Sequence, residues 1–94
     1  MTFSKIKKLD LENIKKEKMN SGIYKLLNRN KKVIYIGVSN KAKHRLFAVL
    51  YGRSDYVQVQ GKMSIRNKTK YYQVLYTNIK NARKLEKELK KLYF

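Results

Sequence analysis

The 94-residue sequence predicts a compact α/β (α+β) domain in which a three-stranded, mainly antiparallel sheet is flanked by helices. Two apolar, β-branched and aromatic runs, Gly22–Leu27 and residues 33–38, surround the polar segment 28–31 (NRNK), a pattern typical of a β-hairpin. A third run, residues 69–76 (TKYYQVLY), has the aromatic content of a strand. Apolar residues at helical spacing before and after this run predict helices that cover the sheet.

Residues 1–20 are expected to form a basic helical segment packed on a single domain that spans residues 1–94. Asp10 is placed to cap a short helix over residues 11–18. Leu11 and Ile14 share one face of that helix, which is expected to pack against the sheet. A basic arm that binds DNA is the weaker interpretation of this segment.

The two runs of the hairpin each contain a tyrosine and a glycine. If the dipeptide 29–30 is the tip, Tyr24 lies directly opposite Tyr35, and Gly22 opposite Gly37. Side chains alternate between the faces of a strand, so both tyrosines would project from one face, with a glycine two residues from each leaving open space. A loop one residue longer or shorter would change this register.

Residues 41–51 predict a helix that begins after Ser39 or Asn40 as its N-cap. Its apolar face comprises Ala42, Leu46, Val49 and Leu50. Arg45 lies at the margin of that face, about 40° from Val49 on a helical wheel of about 100° per residue. A long cationic side chain at this position can lie against the sheet and still reach a ligand at its edge.

Residues 52–68 are open to two interpretations, a basic loop that faces DNA and a mobile connector, with a short strand around residues 56–60. Asn78 is then expected to cap a helix that runs to the end of the chain. Its apolar stripe comprises Ile79, Ala82, Leu85, Leu89, Leu92 and Tyr93. Glu86 falls inside this stripe, where an ionised carboxylate is costly unless a cation, hydrogen bonds or a metal satisfies it. From periodicity alone, an ion pair with a lysine, a hydrated position at the edge of the stripe and a metal site all stay open.

Charge is the main compositional signal, because 24 Lys and Arg residues against six Asp and Glu residues give a net charge of +18. Such an excess opposes folding through self-repulsion and is relieved best by a polyanion. Nucleic acid is therefore the expected partner, although a merely lysine-rich composition is the alternative. A membrane surface is not expected, since the basic residues are spread over the whole chain. The candidate nucleic-acid-binding residues are Lys41, Lys43, Arg53, Lys62, Arg66 and Lys68.

The sequence contains no cysteine, no apolar run of membrane-spanning length and no signal-peptide core near its N-terminus. A cytoplasmic protein without disulfides is therefore expected. No small-molecule cofactor is indicated, and the oligomeric state is open.

Several motifs together carry a family resemblance. The tripeptides GIY at 22–24 and YIG at 35–37 resemble the two signatures of the GIY-YIG endonuclease family. Ser39 and Arg45 then fall at the family's usual positions, and the segment ARKLE at 82–86 is similar to its Ala-x-x-x-Glu helix. The resemblance covers most of the chain and implies the GIY-YIG nuclease fold.

This resemblance implies a metal-dependent endonuclease that hydrolyses phosphodiester bonds in DNA with Mg²⁺ or Mn²⁺. Glu86 would hold the metal, and Arg45 would neutralise charge on the phosphate. Tyr24 is expected to act as a tyrosinate that deprotonates the attacking water, with its pKa lowered by the metal, by Arg45 and by the net positive field. Tyr35 would hydrogen-bond the water or the phosphate.

The sequence also departs from the family. Val49 stands where many members carry His or Tyr one helical turn after the arginine, and valine cannot relay a proton. Adding a histidine there is expected to raise the rate if a relay is what is missing. His44 lies about 100° from Arg45 around the helix and is expected to point elsewhere. A non-catalytic nucleic-acid-binding protein on the same scaffold is the alternative function, followed by a small interaction or inhibitor protein that binds an acidic partner.

Overall fold

The computed structural model describes residues 2–51 and 67–94 of the chain. The predicted strand around residues 56–60 and nearly all of the predicted basic loop lie outside the described residues. The rest is a small α+β domain, as predicted. Its elements are β1 (Lys7–Lys8), α1 (Leu11–Lys15), β2 (Gly22–Leu27), β3 (Val33–Ser39), α2 (Ala42–Tyr51), β4 (Tyr71–Tyr76) and α3 (Ile79–Tyr93).

The strands of the described ranges form one antiparallel sheet of four strands in the order β1-β4-β2-β3. The prediction of three strands is wrong by one, because β1 adds to the outer edge of β4 through the pairs Lys7 with Tyr72 and Lys8 with Tyr71. A strand of two residues is too short to show alternating hydrophobicity, so the sequence gives no signal for it. The other three strands correspond to the predicted ones.

The register of the hairpin differs from the predicted one. Tyr24 pairs with Gly37 and Leu26 pairs with Tyr35, so the expected pairing of the two tyrosines is wrong. The turn spans residues 28–32, because the Asn28 N–H donates to the Lys32 carbonyl oxygen at 2.9 Å. Lys31 in this turn has a positive φ of 62°. The longer turn moves the pairing along the strands.

A β-bulge in β3 determines the face of the sheet from which Tyr35 projects. Leu27 pairs with Val33 whereas Leu26 pairs with Tyr35, which leaves Ile34 as an extra residue. Continued without this residue, the pairing would turn Tyr35 to the face opposite Tyr24. The bulge therefore returns both tyrosines to one face, the outcome expected from a different register.

Helices cover both faces of the sheet. On the Tyr24 face, helices α1 and α2 complete a buried cluster of Ile14, Tyr24, Leu26, Ala42, Leu46, Val49, Tyr72 and Val74. On the other face, α3 packs through Ala82, with Leu85 and Leu89 partly buried, against Ile23, Ile36 and Leu75. None of the helices in the described ranges has the length and apolarity to cross a membrane.

Two predicted helix caps are confirmed. The Asp10 side chain accepts from the Asn13 N–H, and the Asn78 side chain accepts from the Asn81 N–H, each at 2.8 Å. The apolar faces are less complete than predicted, because Leu11 is 40% exposed and Leu92 is 75% exposed. Helix α1 is also shorter than predicted and ends at Lys15.

The N-terminal segment contacts the sheet through its backbone and side chains. Ser4 exchanges hydrogen bonds with Val74, its N–H donating at 2.9 Å and its hydroxyl oxygen accepting from the Val74 N–H at 3.1 Å. Phe3 packs on the α3 side of the sheet. There it meets Lys25, which is only 8% exposed and whose Nζ lies 4.1 Å from the Phe3 ring centroid and 5.2 Å from that of Tyr93. The two rings offer the buried ammonium cation–π contacts.

A buried carboxylate fixes the same segment on the other face. Glu17 accepts hydrogen bonds from Lys7 Nζ at 2.8 Å, Tyr72 Oη at 2.5 Å and Tyr76 Oη at 2.7 Å. Burial alone would raise the pKa of Glu17, but the three donors and the charge of Lys7 outweigh it, so the pKa is held below its ordinary value. Burial raises the pKa values of Tyr72 and Tyr76, and their hydrogen bonds to the carboxylate raise them further.

We expect Glu17→Gln to lower the free energy of unfolding at pH 7 by about 2–3 kcal/mol, because bonds to a charged acceptor are lost from a buried site. The pKa of Glu17 is lower in the folded protein than in the unfolded chain, where it is about 4.3. Ionised Glu17 therefore stabilises the fold fully above about pH 4.3, and this stabilisation is lost as the pH falls through the pKa of the folded state. Urea unfolding at pH 7 and pH 3 should therefore show a difference from wild type that shrinks in acid. Glu12→Gln, at an exposed position of α1, is the control. A difference that is equal at both pH values would contradict the argument.

Candidate active site

The two signature tyrosines are neighbours on one face of the sheet. Their ring centroids are 6.3 Å apart, with 36° between the ring planes. Tyr24 is 2% exposed, whereas Tyr35 is only partly buried. Tyr35 is therefore the phenol that a ligand reaches more easily.

The two signature glycines do not leave open space, contrary to expectation. A Cβ atom on Gly37 would lie 2.5 Å from Tyr24 Cζ, so the ring of Tyr24 occupies the space over this glycine. A Cβ atom on Gly22 would lie 2.5 Å from the Leu75 carbonyl oxygen, so Gly22 permits the close approach of β4. Each glycine thus serves packing within the sheet.

Burial raises the pKa of Tyr24 above its ordinary value of 10.0. The neighbouring Tyr35 and Glu86 raise it further, and Arg45 lowers it. The expectation of a lowered pKa is wrong for the protein without a bound ion, because desolvation of the phenolate outweighs the attraction of Arg45. The same influences show that Arg45 and Glu86 lie close enough to Tyr24 for their charges to act on it.

Arg45 and Glu86 line one groove between the start of α2 and the first half of α3. Its volume is about 650 Å³. The remaining lining residues are Val38, Ser39, Asn40, Lys41, His44, Ile79, Arg83 and Lys87. Among the described residues, four side chains of permanent positive charge thus surround one carboxylate, an arrangement suited to binding phosphate. Tyr24 and Tyr35 are not among the lining residues.

The start of α2 contributes most of one wall. The Ser39 hydroxyl oxygen accepts from the Lys41 N–H at 3.0 Å, and the helix begins at Ala42. Ser39 therefore orders the turn into the helix, in the region where it was predicted as a cap. The helix N-terminus adds partial positive charge to this wall, which favours an anion.

The predicted nucleic-acid-binding residues do not all lie at the groove. Lys41 lines the groove, whereas Lys43 donates from Nζ to the Lys15 carbonyl oxygen at 2.9 Å. Lys68 is exposed and does not line the groove. Arg53, Lys62 and Arg66 lie outside the described residues.

His44 lines the groove beside Arg45, and the prediction that it points elsewhere is wrong. The groove lies at the N-terminal end of α2, so side chains of the first turn can reach it from different directions around the helix axis. A helical wheel compares directions around the axis only and does not show this convergence. The position of His44 in the first turn of the helix is the sequence feature that could have indicated that His44 lines the groove.

Val49 cannot take the place of the family's His or Tyr. It is 2% exposed and packs in the cluster that contains Tyr24 and Leu46. A histidine at this position would enter the core instead of the groove, so the expected gain in rate from Val49→His has no structural basis.

Glu86 could supply one ligand to a divalent ion. Its side chain is 25% exposed, and its Oε2 lies 3.4 Å from Lys90 Nζ. Over residues 2–51 and 67–94, no three His, Cys, Asp or Glu residues are grouped to hold a metal. The donor set therefore fits an ion such as Mg²⁺ only when water and a substrate phosphate complete its coordination.

No protein-family model matches the chain, and no curated protein sequence matches it either.

We expect Gly37→Ala to lower the free energy of unfolding by about 1–3 kcal/mol, because the new methyl group overlaps the buried ring of Tyr24. The loss should be smaller when Tyr24→Leu has already removed the ring. Urea unfolding of the wild type, the two single variants and the double variant measures this coupling. Additive losses would contradict the contact.

Proposed function

We propose that the chain is a small GIY-YIG-type endonuclease that hydrolyses phosphodiester bonds in DNA in the presence of Mg²⁺ or Mn²⁺. The observation that carries the proposal is the cationic groove, in which Arg45 and Glu86 lie together and whose charges act on Tyr24, the ring neighbour of Tyr35. The motif resemblance and the net charge of +18 support it. We also propose DNA as the physiological partner and the cytoplasm as the location.

In this proposal the groove residues bind and polarise one phosphate. Lys41, Arg83 and Lys87 attract the DNA backbone, and Arg45 donates to the phosphate oxygens as charge develops on them. Glu86 would hold the divalent ion, which would supply further positive charge to the reacting phosphate. His44 is a further donor within the groove.

The tyrosines take different roles from those expected. Because its pKa is raised, Tyr24 is neutral at pH 7 and is assigned as a hydrogen-bond donor instead of a general base. Tyr35 is more accessible and is assigned to contact the phosphate or the attacking water. Both assignments depend on the strand register of β2 and β3, which places the two tyrosines on one face of the sheet.

A non-catalytic DNA-binding protein is the second candidate. It is favoured by the raised pKa of Tyr24 and by the burial of Val49, which leaves the family's relay position without a polar group. This candidate needs only the cationic groove and predicts binding without cleavage.

The sharpest test compares two glutamates of the same helix. Glu86→Gln should lower the rate of cleavage of plasmid and duplex DNA by about 100-fold or more, because it removes the Glu86 carboxylate from the groove. DNA binding should be equal or slightly tighter, since a negative charge is lost. Glu88→Gln removes the same charge from an exposed position outside the groove and should keep the activity. If the wild type binds DNA and cuts nothing with Mg²⁺ or Mn²⁺, the second candidate is correct.

Tyr24→Phe deletes one hydroxyl and keeps the ring that packs on Gly37. We expect the cleavage rate to fall by about 10- to 100-fold while the free energy of unfolding changes by less than about 1.5 kcal/mol. Single-turnover cleavage and urea unfolding measure the two effects. Cleavage at the wild-type rate would exclude a role for this hydroxyl.

A further inference from the structure

The outer face of α3 carries a continuous row of positive charge. Its inner face packs on the sheet through Ala82, Leu85 and Leu89. On a wheel of about 100° per residue, every helix residue within the opposite arc of about 100° is Lys or Arg. These residues, here called the α3 ridge, are Lys80, Arg83, Lys84, Lys87 and Lys91, and all five are exposed.

The two acids of the helix lie outside the ridge. Glu88 borders one side, at i, i+4 spacing from Lys84. Glu86 lies closer to the inner face, about 60° beyond Arg83, and pairs with Lys90. A helix face that only needed to be soluble would be served equally well by mixed charges, which attract each other at i, i+4 spacing. The sequence instead places no acid within the ridge.

The ridge is unfavourable for the isolated helix. Lys80 and Lys84, Arg83 and Lys87, and Lys87 and Lys91 are like-charged pairs at i, i+4 spacing, which destabilise a helix. The first turn of α3 also contains no acid, although the helix dipole favours negative charge there. A bound polyanion would reverse both effects.

The ridge continues from the groove. Arg83 and Lys87 belong to the ridge and also line the groove, so a bound backbone can pass from one to the other. From Lys80 to Lys91 the helix rises about 16 Å, a length over which duplex DNA presents about ten phosphates on its two strands.

We propose that the α3 ridge is a second DNA-binding surface, which holds the phosphate backbone of duplex DNA as it leaves the groove. Charge complementarity identifies the occupant as a polyphosphate. The proposal rests on DNA as the partner in the proposed function, but it does not require cleavage.

The test compares two triple variants. Lys80→Gln/Lys84→Gln/Lys91→Gln neutralises the three ridge residues that do not line the groove. Lys5→Gln/Lys16→Gln/Lys32→Gln removes the same charge from exposed positions on other parts of the chain. Binding of a fluorescent mixed-sequence duplex is titrated over a range of KCl concentrations without divalent ions, and circular dichroism verifies that both variants are folded.

The ridge variant should lose about 2–3 units from the slope of log K against log salt, since each lost phosphate contact removes about 0.9. The control variant should lose less than about 1 unit. Equal losses in the two variants, or no binding by the wild type, would overturn the proposal. Because binding is measured without divalent ions, a ridge effect in a protein that does not cut would contradict only the nuclease. Cleavage with equal losses would contradict only the ridge.

Discussion

The carboxylate of Glu17 determines how the N-terminal part of the chain is attached to the sheet. It is one of only six acids in a chain of net charge +18, and it is 7% exposed. Its three donors come from β1 and β4, and β4 pairs with β2, which carries Tyr24. Helix α1, just before Glu17, places Ile14 in the cluster that buries Tyr24. The environment of the candidate site therefore depends on a carboxylate that does not line the groove.

The sequence predicts those parts of the fold that have a local physical cause. The caps at Asp10 and Asn78 were predictable because one side chain satisfies one backbone group nearby. The bulge at Ile34 was not, since it follows from the length of the turn and the pairing of two strands together. The position of His44 and the burial of Val49 depend on how α2 meets the rest of the domain, which a helical wheel does not contain.

In the proposed function, the groove would have to bind both a phosphate and a divalent cation, which place opposite electrostatic demands on it. Its cations favour a phosphate, but they would repel a divalent ion from Glu86, the one carboxylate that the described part of the chain gives to the groove, which already lies near Lys90. A bound DNA phosphate would reduce this repulsion, so binding of the ion and of DNA should each strengthen the other. A cationic surface with few acids is thus compatible with metal-dependent chemistry only when the substrate supplies negative charge.

The position of Lys25 links the two ends of the described chain. Its ammonium group lies between Phe3 and Tyr93 and donates to Tyr93 Oη at 3.3 Å, on the face of the sheet opposite Tyr24. If the last turn of α3 frays, this ammonium loses an aromatic partner and its hydrogen bond, and the contact with Phe3 weakens as water enters. The N-terminal segment and the last helical turn should therefore open together as one cooperative unit, with similar amide hydrogen-exchange protection in residues far apart in the sequence.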